Sequence, residues 1–215
     1  MSDQELRKQV VEACHVLSAM GYLAGIGGNL AMRKADRMAV TPSAADYFSM
    51  KPEDICILDI HSLEILEGER SPSVESGLHA LIFRTRPDIQ ASVHTHQPVA
   101  SAMALLNRDI PMVSGEEQSE LGEKVPVVGY GPSGTGMLVS ALKKKLRPDL
   151  NGYLLRNHGI ICGASSMEQA IRNVRLIEKA AARYISESIS TNRSPGVSAP
   201  VIHQALGSLA EYRKI

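Results

Sequence analysis

The sequence predicts a three-layer α/β sandwich around a central, mostly antiparallel sheet, in one domain over residues 1–215. Three observations lead there. Short apolar runs bounded by turn residues alternate with amphipathic stretches of helical period. Several strand-like runs follow one another across tight turns. No internal repeat or linker interrupts the pattern, and a hydrophobic content of 44% over 215 residues is enough to bury a core without disulfides.

The elements follow in order. Ser2 to Glu5 forms a capping box, after which Leu6, Val10, Leu17 and Met20 recur at helical spacing until Gly21. A glycine-rich segment, Gly25-Ile26-Gly27-Gly28-Asn29, precedes strand-like runs at Leu30–Arg33 and Arg37–Thr41, with Ala35-Asp36 at the turn. Lys51–Asp54 reads as a helical turn before a strand at Ile55–Asp59, and Glu64–Leu66 returns past His61-Ser62. Ser73 is the expected N-cap of a helix carrying Leu78, Leu81 and Ile82, which Pro87 ends. A strand at Gln90–His96 leads to a helix opening at Pro98. Val125–Tyr130 is expected as one strand, followed by a tight loop at Gly131–Gly134 and a helix over Met137–Leu146. Apolar segments Tyr153–Arg156 and Ile160–Cys162 flank Asn157-His158-Gly159. A long helix from Met167 to Ser188, a polar loop at Thr191–Pro200 and a short terminal segment ending at Tyr212 complete the chain.

Composition excludes several classes. Acidic and basic residues balance at 23 each, and Lys143-Lys144-Lys145 reads as a solvated helix end, so nothing marks a nucleic-acid partner. No apolar run approaches the roughly 18–20 residues of a membrane span. The polar N-terminus lacks a signal-peptide core, and Cys14, Cys56 and Cys162 form no CxxC pair. The expectation is a cytoplasmic protein with reduced thiols.

His94-Thr95-His96 carries the strongest chemical signal. Residues i and i+2 of a strand share a face, so both imidazoles can grip one ion from a rigid platform. His158, between two apolar segments and followed by Gly159, is the natural third ligand, unless it is a satisfied structural histidine. Three histidines with an open fourth position make a catalytic rather than a structural metal site. Glu75 reads either as a first-turn acid favoured by the helix dipole or as a general base beside the metal. His79, one turn on, either orients Glu75 or packs. The glycine-rich segment with Asn29, and the loops Thr41-Pro42-Ser43-Ala44 and Ser71-Pro72-Ser73-Val74, offer amides and hydroxyls suited to a phosphate.

Taken in order, GIGGNLA, VTPSA, SPSVE, SVHTHQPVASAMALLNRDIP, VPVVGYGPSGT and LLRNHGIICG resemble the class II aldolase/adducin superfamily through nearly the whole chain, and within it the fuculose-phosphate aldolase branch. The resemblance implies a four-fold homotetramer with sites at subunit interfaces. It implies Zn2+, or another divalent ion such as Co2+ or Mn2+, on His94, His96 and His158, with Glu75 as acid/base. It also implies a substrate phosphate held by Asn29, Ser43, Ala44, Ser73 and Val74. The activity implied is reversible cleavage of L-fuculose 1-phosphate, or a related pentulose or deoxypentulose 1-phosphate, to dihydroxyacetone phosphate and an aldehyde.

Departures accompany it. The family's loops usually read Thr-Gly and Ser-Ser where this chain has Ser43-Ala44 and Ser73-Val74. Its catalytic tyrosine aligns with Gly115, which leaves Glu116 as the candidate general acid, or merely part of an acidic helix start with Glu117 and Glu120. A second, C-terminal tyrosine corresponds to Tyr212. Dehydration of a methylthioribulose 1-phosphate and decarboxylation of a phosphorylated keto acid are rival reactions on the same metal site. An epimerase ranks low, because Ser114-Gly115-Glu116-Glu117-Gln118 replaces its signature segment. The adducin-like scaffolds lack the histidine triad.

Overall fold

A computed structural model of the chain describes residues 2–23, 27–191, 198–212 and Lys214. Helix α1 (Asp3–Ala19) begins where the Ser2 hydroxyl accepts the Glu5 amide, and Gly21 follows its end with φ +74°. Strands β1 (Asn29–Lys34) and β2 (Arg37–Val40) pair across a turn in which Ala35 is left-handed. A 3-10 turn (Pro52–Asp54) leads to β3 (Cys56–Asp59) and β4 (Ile65–Glu67). Helix α2 (Ser76–Thr85), strand β5 (Ala91–Thr95) and helix α3 (Pro98–Leu106) come next. They are followed by β6 (Ile110–Pro111), α4 (Gly115–Leu121), β7 (Lys124–Val125), β8 (Val127–Val128) and α5 (Gly136–Lys143). The chain then runs through β9 (Gly152–Leu155), β10 (Gly159–Ala164), α6 (Met167–Thr191) and α7 (Ala199–Tyr212).

Eight strands form one sheet in the order β4-β3-β2-β1-β5-β10-β9-β8, antiparallel at every pairing except β8 with β9. The alternation of side chains divides the core in two. Leu30 and Met32 of β1 and Val93 of β5 face α1, α3 and α6, in a cluster with Leu6, Leu17, Met103 and Ile177. Ala31 of β1 and Ile161 of β10 face the other way, with Leu78 and Phe83 of α2 and Leu138 and Leu142 of α5. Ser92 and His94 therefore look toward the α2 layer, as does Asn29, which lies opposite His94 in the β1–β5 register. Helix α6 is tied to α3 by the buried Glu178, whose carboxylate oxygens accept the Val99 and Ala100 amides at 2.8 Å each. That satisfies two of the free N–H groups at the start of α3.

Several expectations change. Val125–Tyr130 is not one strand: Pro126 cannot donate to a ladder, and the run splits into β7, paired with β6, and β8, paired with β9. Ser73 does not cap α2 directly; Glu75 stands at that position, and the Ser73 hydroxyl accepts the Glu75 amide at 3.2 Å. The segment after Thr191 is not all loop, because α7 begins at Ala199 and runs to Tyr212 as a helix packed on α6. Residues 192–197 of the expected loop, and Gly25 and Ile26 of the glycine-rich segment, lie outside the described residues.

Candidate metal centre and active site

Three imidazoles meet on the α2 side of the sheet. His94, fully buried, comes from the central strand β5, and His96 follows that strand's end. The His96 amide is anchored by donation to the Tyr22 carbonyl at 3.2 Å. His158 comes from the β9–β10 turn, where Asn157 takes φ +58° and the His158 amide donates to Leu155 O. The ring centroids lie 4.7 to 4.8 Å apart, and one ligand nitrogen from each histidine falls within 4.8 Å of the others. Gly159 makes this convergence possible. A Cβ there would collide with the Thr95 carbonyl and come within 2.6 Å of His96 Cδ2.

The donor set fits a metal ion. His94 Nδ1 is 2.6 Å from the Ile160 carbonyl, so its proton belongs there and Nε2 presents a lone pair. His96 Nε2 stands 3.0 Å from His94 Nε2. Two imidazoles on a tetrahedral ion with bonds of about 2.0–2.1 Å would place their nitrogens about 3.3 Å apart. Burial, with His94 and His158 alongside, pushes His96 down to about 4, and burial with His94 lowers His158, so both are held in the neutral form that binds metals.

Glu75 bridges the cluster. Its Oε2 lies 3.2 Å from His94 Nε2 and its Oε1 3.6 Å from His158 Nε2. Burial opposes its ionisation, but His94, Asn29 and His158 outweigh that, and the carboxyl sits well below the usual range. It is a carboxylate at neutral pH. Asn29 Nδ2 donates to Oε2 and the Ser133 hydroxyl to Oε1, both at 2.8 Å. Ser133, in the loop before α5, is a site residue that sequence reasoning missed: nothing in spacing links positions so far apart. His79 makes no hydrogen bond to Glu75. It reaches Asn29 Oδ1 at 2.6 Å through Nε2 and Ser92 Oγ at 2.8 Å through Nδ1. Fully enclosed, it is pushed down to about 3 by burial, with His94 adding to that effect.

The two proline loops come together. Pro42 and Pro72 form an antiparallel bridge, Ser43 N donates to Ser71 O and Ser73 N to Thr41 O. Ala44 holds φ +51°, and Val74 is exposed against Gly134. The Tyr47 hydroxyl bonds the Gly28 carbonyl and so ties the end of the glycine-rich segment to this region. Asn29 differs from expectation in that its amide is engaged by Glu75. Glu116 is exposed at the start of α4 and lines a recess of about 190 Å³ with Arg172, Arg175, Leu176 and Lys179 of α6. Tyr212 is partly buried against the α6 side of the core. Among the described residues, no hydrogen bond joins Glu116 or Tyr212 to the histidines or Glu75 within one chain.

Residues 8–185 match the family described as Class II Aldolase and Adducin N-terminal domain, and the chain belongs to that family. Its relatives bear this out. The 5-deoxy-D-ribulose 1-phosphate aldolase of Bacillus thuringiensis serovar kurstaki is 36% identical over 183 residues, which is 84% of either chain. The L-fuculose phosphate aldolase of Escherichia coli is 27% identical over 212 residues, covering 99% of this chain and 97% of its own. A solved L-fuculose 1-phosphate aldolase superposes with a TM-score of 0.81 at 28% identity, over 98% of both chains. Fold, site and relatives agree on a lyase of the aldolase class.

Proposed function

We propose that this chain is a zinc-dependent aldolase that reversibly cleaves a ketose 1-phosphate, with a deoxypentulose 1-phosphate the first substrate to try. The observation that carries the reading is one ionised carboxylate, Glu75, placed 3.2 and 3.6 Å from two imidazoles of a three-histidine cluster. The higher identity to a deoxyribulose phosphate aldolase than to the fuculose enzyme supports the shorter sugar.

A divalent ion on His94, His96 and His158 would supply Lewis-acid polarisation of the substrate's carbonyl and neighbouring hydroxyl oxygens. In the condensation direction Glu75, already ionised, takes the proton from carbon 3 of dihydroxyacetone phosphate, and that carbon attacks the aldehyde. In cleavage the bond between carbons 3 and 4 breaks, its electrons pass to carbon 3, and Glu75 returns the proton there. Ser43, Ala44, Ser73 and Val74 are proposed to hold the phosphate, through the paired loops described above, while the Asn29 side chain, bonded to Glu75 and His79, serves the carboxylate instead. The proton of the carbon 4 hydroxyl is assigned to Glu116 or Tyr212. Neither is bonded to the cluster within one chain, so a neighbouring subunit of a homotetramer would bring it in. The enclosed thiols, and the absence among the described residues of any helix long and apolar enough to cross a membrane, are compatible with a cytoplasmic enzyme.

The test is a coupled assay for dihydroxyacetone phosphate with 5-deoxyribulose, ribulose and fuculose 1-phosphates on zinc-loaded protein. Release from at least one is expected, and prior stripping with a chelator should abolish it. Loss of water without carbon–carbon cleavage, or release of carbon dioxide from a phosphorylated keto acid, would replace this reading with a dehydratase or a decarboxylase.

A further inference from the structure

We propose that His79 is a positioning residue: it fixes the Asn29 side chain with its nitrogen toward Glu75, and so holds the carboxylate beside His94 and His158. The catalytic consequence rests on the aldolase reading; the hydrogen-bond order does not.

The order follows from one end. A carboxylate only accepts hydrogen bonds, so the Asn29 atom 2.8 Å from Glu75 Oε2 is the NH₂ group. The opposite side of the amide is then Oδ1, and the His79 Nε2 lying 2.6 Å away has to carry a proton. His79 is completely buried, which disfavours a charged ring, so its other nitrogen is bare. That nitrogen, Nδ1, accepts the Ser92 hydroxyl at 2.8 Å. The chain Ser92 to His79 to Asn29 to Glu75 thus runs in one direction, each group donating to the next.

Reversing the amide would set its oxygen against the carboxylate and its NH₂ against the ring N–H, losing both bonds at once. The backbone cannot prevent this, since the β1 register fixes the Asn29 Cα and not its amide. Among the described residues, His79 is the one hydrogen-bonded to the oxygen side. Ser133 holds the other carboxylate oxygen from an exposed loop, so the enclosed arm through Asn29 is the rigid one.

The test uses ¹⁵N-histidine and ¹⁵N-asparagine labels on full-length protein, with and without zinc. In the unmodified protein His79 should appear as the Nε2–H tautomer, identified by the signal lost in His79→Leu. In His79→Leu the Asn29 side-chain amide signals, assigned by their loss in Asn29→Asp, should move. Turnover per zinc-loaded chain should fall roughly 10- to 100-fold, as is usual when a supporting hydrogen bond of a metal site is removed. His79→Gln, which returns an N–H donor near Nε2, should recover most of it at equal zinc content. If His79→Leu does not fold, Ser92→Ala replaces it, and the Asn29 signals should shift with only a small loss of stability. An Nδ1–H tautomer would overturn the proposal. So would unmoved Asn29 signals, or equal turnover in the Leu and Gln variants. The tautomer is read without substrate, so inactivity of the unmodified protein toward ketose 1-phosphates would refute the function and leave this inference standing.

Discussion

Gly159 and Glu75 set what the site can hold and do. A side chain at 159 must displace His96 or the Thr95 backbone, so Gly159→Ala should weaken zinc binding about 10- to 100-fold, by analogy with the loss of other metal-supporting groups. Competition with a chelating dye measures it; undiminished affinity would mean that the turn gives way at no cost to the triad. Glu75→Gln keeps the shape and removes the proton acceptor. Zinc content should stay at one ion per chain while turnover drops by roughly 100-fold or more, the range typical of a lost general acid or base. Much of this was legible in the sequence. Alternation on a strand gives His94 and His96 one face, and the Asn-His-Gly turn singles out His158. What was not legible is the set of partners. Ser133 meets Glu75, and His79 meets Asn29, only because the sheet register and the α2 layer bring distant segments together.

Helix α4 shows how an element can be half readable. Its acidic start is visible in the sequence, but the first two glutamates differ in role. Glu116 is exposed, whereas Glu117 is buried, completes a capping box with Ser114 and forms an ion pair with Arg183 of α6. Burial raises the Glu117 pKa, but Arg183 and the Val113 and Ser114 amides more than offset that, and it lies below its ordinary value of 4.5. A depressed carboxyl stabilises the fold above the unfolded value, and that contribution disappears as pH falls through the folded one. Glu117→Gln should therefore cost roughly 1.5–3 kcal/mol at neutral pH, the range for hydrogen bonds to a charged group. The gap to the unmodified protein should close as pH drops below about 4.5. Urea denaturation across that window checks it, and a pH-independent gap would remove the charge from the account. The split at Pro126 and the helical C-terminus were unreadable for related reasons. Apolar content alone does not reveal which neighbour a short run pairs with, and α7 takes its support from packing on α6.

The whole molecule leaves large apolar side chains in water: Phe48 is 69% exposed, Leu105 65% and Met137 65%. Covering such groups is consistent with the proposed homotetramer. Sedimentation should give four chains, and Leu105→Glu should shift the equilibrium toward smaller species if the end of α3 lies at an interface. A monomer at micromolar concentration would end the subunit-sharing role given to Glu116 and Tyr212. The central place of β5 has a further consequence. It is paired on both edges, to β1 from Ala91 to His94 and to β10 along its whole length, and all five of its residues are buried, whereas β4 at the sheet edge is exposed throughout. Amide hydrogen exchange should therefore divide the molecule. The protons of Val93 and His94 should escape only through global opening, while those of β4 leave by local fraying. The one ligand within the strand, His94, then shares the lifetime of the entire fold: it cannot loosen by itself, and release of an ion without unfolding has to begin at His96, just past the strand, or at the His158 turn.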